Sequence, residues 1–195
     1  MEQADARTHP IRVVVTDDLK RSRLTVFFRS LLAIPQFIVL CLWAIAVWLV
    51  TIVNWFATLF MGRSPDALHN FIAAFLVFQT RVTAYIYLLS EPWPPFGSSG
   101  DYPVDLRVAG PQPQNRWTVF FRFILAIPAL LLASVFRTLN QVLALVSWFY
   151  ALATGQISDG IRSIGVYCLG YEQQTYGYIL FATDRYPSLS GAPSA

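Results

Sequence analysis

Apolar and other side chains alternate in two short stretches, with Ile11, Val13 and Val15 in one register and Val104, Leu106 and Val108 in the other. That period of two predicts a strand at each place, buried on one face. Elsewhere the pattern is of long apolar runs. Residues 24–60 form a 37-residue stretch interrupted by little more than Arg29. As a single helix it would reach about 55 Å, against a hydrocarbon core of about 30 Å. A division is therefore expected, and Pro35 supplies it by removing a backbone donor and disfavouring helix at the residue before it. The pattern predicts an interfacial helix over 23–34, with Arg23 and Arg29 reaching towards headgroups, then a span over 36–60 anchored by Trp55-Phe56. Gly62 suits a helix C-cap, Ser64 an N-cap, Pro65 the first helical position and Asp66 the positive end of the next helix. Residues 67–89 read as a return span, closed by Glu91-Pro-Trp-Pro94.

This plan occurs twice. Arg23-Leu-Thr-Val-Phe-Phe-Arg-Ser-Leu-Leu-Ala-Ile-Pro35 returns as Arg116-Trp-Thr-Val-Phe-Phe-Arg-Phe-Ile-Leu-Ala-Ile-Pro128, 93 residues later, and residues 10–94 match 103–187 at 22 of 85 positions without a gap. An internal repeat of this kind fixes the domain organisation before any fold reasoning. It gives a tail at 1–9, a first repeat at 10–94, a linker at 95–102, a second repeat at 103–187 and a tail at 188–195. In the second repeat, 116–127 reads as the interfacial helix, with Arg116 and Arg122 in place of Arg23 and Arg29. Residues 129–153 follow as a span, then a turn at Gly155–Asp159 and a return span over 160–182. The expected fold is an all-α integral membrane protein: two tandem repeats of short strand, interfacial helix and transmembrane helical hairpin, about four spans in all. A small cytoplasmic strand pair completes it. A two-fold axis along the membrane normal would make the two strands antiparallel.

Composition agrees with a membrane setting. Hydrophobic residues make up 55% and charged residues 13%, and mean hydropathy is +0.49, against about 25% charged in an ordinary soluble domain. A net charge of +3 is too small to indicate a nucleic-acid partner. The basic residues are unevenly placed, however. Arg7, Arg12, Lys20, Arg21, Arg23, Arg29, Arg107, Arg116, Arg122 and Arg185 fall on the side of the termini and linker, whereas the turns hold Arg63 and Arg162. The bias predicts a multi-pass protein of the cell membrane with both termini cytoplasmic. No short apolar core with a cleavage site precedes residue 23, so the first apolar segment is expected to act as an uncleaved anchor. Cys41 and Cys168 lie in apolar runs at non-equivalent repeat positions and read as small buried apolar residues.

The repeated strand, the Leu-Ala-Ile-Pro helix opening, the Trp-Phe…Gly-Arg-x-Pro turn and the closing Asp184-Arg-Tyr-Pro187 together resemble the bacterial membrane proteins of the domain-of-unknown-function 4389 family, common in actinobacteria. The first copy carries Gly62-Arg-Ser-Pro65 and a degenerate Glu91-Pro-Trp-Pro94; the second has Gly155-Gln-Ile-Ser158 and the full closing motif. The resemblance implies a tandem integral membrane protein without an assigned activity, and carries over no catalytic residues.

Catalytic constellations are not evident in the sequence. His9 and His69 are far apart in the chain, there is no glycine-rich phosphate loop, and Gly97-Ser-Ser-Gly100 has linker composition. No enzymatic activity, cofactor or metal site is expected. The unusual chemistry lies inside the predicted spans, where Arg81, Arg137 and Glu172 share a depth with Gln79, Thr80, Asn140, Gln141, Gln173 and Gln174. A charge at a helix centre costs roughly 2.5–3.5 kcal/mol on insertion scales, so these groups are expected to be paired, Arg137 with Glu172 in the same hairpin. Two functions follow as expectations. The first is a non-enzymatic scaffold or accessory subunit, with the lipid bilayer and either a protein partner or a homo-oligomer as partners. The alternative is a lipid- or small-anion-binding or transport protein that uses the polar layer. Pro35, Pro128, Gly62 and Gly155, with the four motif arginines, are expected to be structural.

Overall fold

The computed structural model describes residues 9–97 and 100–189. Most of the two expected tails, and the centre of the expected linker, lie outside the described residues. The elements are β1 (Ile11–Val15), α1 (Arg23–Leu32), α2 (Ile34–Met61), α3 (Asp66–Ile86), β2 (Val104–Val108), α4 (Arg116–Thr154) and α5 (Asp159–Ile179). β1 and β2 form a two-stranded antiparallel sheet in which Ile11 faces Val108 and Val15 faces Val104.

The prolines do less than their sequence positions imply. Pro35 sits in the first turn of α2, and the only interruption ahead of it is the single residue Ala33. Ala33 between α1 and α2 keeps right-handed helical angles (φ −81°, ψ −13°), so the two run on as one length of 39 residues. Pro128 lies inside an unbroken 39-residue α4. Residues 116–127 and 129–153 are therefore one helix, not an interfacial helix followed by a separate span. Ala126 and Ala129 are buried on either side of Pro128, and packing there holds the helix across the lost bond. Gly62 (φ 73°) and Gly155 (φ 76°) end the long helices in the left-handed region that glycine adopts without strain. Ser64 does not cap α3; its hydroxyl donates to Asn54 Oδ1 at 2.7 Å, and Pro65 takes the N-cap position.

Each long helix folds back on its short partner, α2 on α3 and α4 on α5, while α3 and α5 pack on each other. The sheet lies on the short pair, β1 against α5 and β2 against α3. Three layers result: two long helices, two short helices, two strands. The main core lies between the lower two and includes Ile11, Val13, Ile72, Leu76, Val104, Leu106 and Leu169. Burial is so close that a Cβ on Gly177 would collide with Ile11 Cδ1, and one on Gly165 would stand 2.7 Å from Leu89 Cδ2.

This placement corrects the four-span expectation. The sheet does not cap one end of a bundle; it covers the mid-length of α3 and α5, at Leu76 and Gly170. Nor do the two turns share a far end. The Gln114 N–H donates to Gly62 O at 2.8 Å, and the Arg21 N–H donates to Gly155 O at 2.9 Å. Each turn is thus joined to the segment that precedes the other repeat's long helix, a segment expected across the membrane from it. Only Arg23–Met61 and Arg116–Thr154 are long and apolar enough to cross a membrane among the described residues. The return helices 67–89 and 160–182 owe their apolar character to a protein core.

Candidate functional site

The repeat motif is a device for closing each unit. Arg29 is buried; its Nη1 donates to Tyr85 O and to Ser90 O (3.0 Å), and its Nη2 to the Glu91 carboxylate at 2.9 Å. Ninety-three positions on, Arg122 makes the same set with Tyr178 O (3.1 Å), Thr183 O (3.1 Å) and the Asp184 carboxylate (2.6 Å). In both copies the guanidinium donates to one carbonyl in the last turn of a short helix and to a second in the segment just beyond it, so it fixes the exit of the chain from that helix. It also stacks over an aromatic ring, at 4.4 Å from the Tyr85 centroid and 4.6 Å from that of Tyr178. The same carboxylates accept from the N-cap N–H groups of Ser22 (2.9 Å) and Asn115 (3.3 Å). Arg29 and Arg122 therefore point inward and do not reach for headgroups. Arg23 and Arg116 are exposed, and Arg23 Nη2 donates to Ala153 O of the other repeat at 2.9 Å.

Tryptophan ties the repeats to each other. Trp55 Nε1 donates to Val119 O at 3.2 Å, and its equivalent Trp148 donates to Val26 O at 3.1 Å. Trp55 is thus a link between repeats, half-buried, and not a free interfacial anchor.

The expected polar layer divides. Arg137 Nε lies 2.7 Å from Glu172 Oε1, which also accepts from Tyr176 Oη at 3.1 Å. Asn140 is next to this pair in sequence only; its amide donates to Gly165 O at 3.1 Å. Gln141 is exposed and Gln173 fully buried. Arg81 belongs elsewhere: it forms a two-pronged pair with Asp105 on β2, at 3.0 and 2.9 Å, and donates to Gly100 O. Its repeat equivalent, Gln174, donates to Ile11 O on β1 at 3.4 Å. The swap follows from the strands, since Asp105 aligns with Arg12 and β1 offers no carboxylate to a cation at position 174. Sequence reasoning missed Asp105 as the partner because it placed the strands at the helix ends.

Beside Arg81, Tyr102 donates its hydroxyl to Pro92 O at 2.6 Å, and burial pushes that hydroxyl well above its ordinary pKa. At the start of β1, burial lowers the pKa of His9, whose Nδ1 stands 3.1 Å from the Ile11 N–H. His69 reaches Ala109 O at 2.9 Å through Nε2 and so holds the end of β2 against α3. Among the described residues no group of three or more His, Cys, Asp or Glu side chains could hold a metal ion.

The most extensive feature is the outer surface of the long helices. Only one stripe of each is buried, running through Val26, Ala33, Val47 and Asn54 in α1–α2 and Val119, Ala126, Ala133 and Asn140 in α4. The remaining circumference is exposed and mostly apolar, from Leu24 through Leu42 and Trp48 to Phe60 (73% exposed), and from Trp117 (74%) through Leu131 to Phe149, with Ser134, Arg137, Thr138 and Gln141 as the polar interruption at the middle of α4. Soluble monomers rarely expose an apolar patch beyond a few hundred Å².

A family model described as Domain of unknown function (DUF4389) matches residues 23–98 and 116–190. The two matches begin 93 residues apart, the offset of the internal repeat, and each starts at the first residue of a long helix. No curated protein matches the chain, and no solved structure does.

Proposed function

The chain belongs to the family described as Domain of unknown function (DUF4389), in tandem copies, and from that premise we propose that it is a non-enzymatic protein embedded in the cell membrane. In this reading it serves as a scaffold or accessory subunit of a membrane complex. The observation that carries membrane embedding is the pair of 39-residue helices whose apolar surface is mostly exposed. Water is a poor solvent for such a surface, at about 25 cal/mol per Å².

The scaffold role draws support from the sheet. The two strands pair through one edge each, and among the described residues no further strand joins the other edges; an open edge can accept a partner's strand. An anion-handling role draws less support, because the excess positive charge it needs, Arg81, is matched by Asp105.

Two measurements test the proposal in separate steps. Membranes of expressing cells are washed with alkaline carbonate; the chain stays in the pellet if it is embedded, and its release would end the membrane reading. The tagged chain is then purified in mild detergent. A stoichiometric protein or homo-oligomer is expected, and consistent recovery of a lone monomer would end the scaffold reading.

A further inference from the structure

The sheet says how the protein sits in its membrane. Along β1 and β2 the buried positions are Ile11, Val13, Val104 and Leu106, so Arg12 and Arg107 belong to the alternate face, while the Asp105 carboxylate is held by Arg81. Arg12 stands directly opposite Arg107 in the register. Two cations face to face repel each other and need water or counter-ions to coexist. In hydrocarbon each would cost roughly 2.5–3.5 kcal/mol even on the lenient insertion scales. The outer face of the sheet is therefore in water.

That face lies over the mid-length of α3 and α5, and the polar ends of the molecule lie at either end of the long helices. At one end Gly62 meets Gln114; at the other Gly155 meets Arg21. A 39-residue helix separates them by about 58 Å, nearly twice the hydrocarbon thickness of about 30 Å. To fit that thickness the helices would have to lean about 60° from the normal, beyond the usual range of 0–40°. A spanning placement would also carry the Arg12–Arg107 pair to the bilayer centre.

We propose that the protein enters a single leaflet, its two long helices lying along the membrane plane with their apolar surface on the acyl chains. This rests on the membrane reading above. The sheet, both turns and both helix-entry segments then face the same aqueous side. The depth is suitable: a helix about 10–12 Å across fits within a leaflet's half of the hydrocarbon core, and in-plane helices settle about 5–10 Å into it. The pseudo-two-fold axis that relates the repeats runs along the membrane normal, so both copies meet the same environment at the same depth. Repeat-equivalent aromatic pairs, Phe27-Phe28 and Phe120-Phe121, are accordingly exposed in both. The occupant of the apolar surface is lipid, not a second copy of the chain.

The full chain, with Cys41 and Cys168 replaced by alanine, receives one new cysteine at a time: Arg12→Cys on the sheet, Arg63→Cys at one end, Asp159→Cys at the other. A membrane-impermeant maleimide is applied to sealed inside-out vesicles and to intact spheroplasts. All three variants are expected to label from one face and not from the other without detergent. Opposite faces for Arg63→Cys and Asp159→Cys would overturn the proposal, because any spanning placement of the long helices separates them. Protection of Arg12→Cys until detergent is added would overturn it as well. Should these variants misfold, the unmodified chain in vesicles of phosphatidylcholine brominated near the headgroup or deep in the chain serves instead. Stronger tryptophan quenching by the shallow bromines is expected, and stronger quenching by the deep ones would overturn the proposal. A carbonate-soluble dimer would end the membrane reading and would place a second copy on the apolar surface.

Discussion

Arg81 Nη2 stands 2.9 Å from Asp105 Oδ2, tying the middle of the first repeat's short helix to the strand contributed by the second. The arginine is buried, and the carboxylate is about a quarter exposed. Loss of one partner leaves the other charge without compensation, which costs more than the pair contributes net. Asp105→Asn is expected to lower unfolding free energy in detergent by about 2 kcal/mol. With Arg81→Gln the two losses should fall short of their sum; additive losses in a double-mutant cycle would show that the strand is held by apolar contacts alone.

The closing motif depends on the forked geometry of arginine. Arg122 serves two carbonyls and one carboxylate at once, a set that a lysine ammonium cannot reproduce while also stacking on Tyr178. Arg122→Lys should cost about 2–3 kcal/mol, and Arg29→Lys a similar amount because its partners are equivalent. Thermal melting of both variants checks this. Unchanged melting of either would separate the two copies functionally.

Arg137 and Glu172 pair at 2.7 Å, but the arginine side chain is 43% exposed. Water weakens the attraction, so a coupling of about 1 kcal/mol is expected between Glu172→Gln and Arg137→Gln. Glu172→Gln and Arg81→Gln should be additive, since Arg81 is engaged by Asp105. Measurable coupling in the second cycle would restore a shared polar layer.

Gly177 has no room for a methyl group beside Ile11. Overpacking of this kind costs about 1–3 kcal/mol, and Gly177→Ala is expected to fall in that range. Ile11→Val removes the colliding carbon, so the double variant should be more stable than Gly177→Ala alone. A double variant that loses more than the alanine change by itself would mean that β1 is not seated on α5.

The features legible in the sequence were local or confined to one hairpin. The antiparallel strand pair followed from alternation combined with the repeat, and Arg137 met Glu172 because both lie in one helical hairpin. The longer-range relations were less accessible. Hydropathy reads the apolar residues of α3 and α5 alike whether lipid or a sheet covers them, so two core helices passed for spans. Arg29 and Arg122 were read as snorkelling because their partners, Glu91 and Asp184, lie 62 residues away in each copy. One signal did point to that bond: both arginines and both acids recur at the offset of 93. Trp55 and Trp148 recur at the same offset, yet nothing in sequence says that each bonds to the other repeat.

The most direct measurement is oriented circular dichroism of the unmodified chain in aligned bilayers. Since α2 runs back along α3 and α4 along α5, the four helices share a direction, and their helical bands report one tilt. In-plane embedding predicts the spectrum of helices lying parallel to the membrane surface, unchanged across moderate lipid-to-protein ratios. A spectrum of helices within about 40° of the membrane normal, the range of spanning helices, would contradict it.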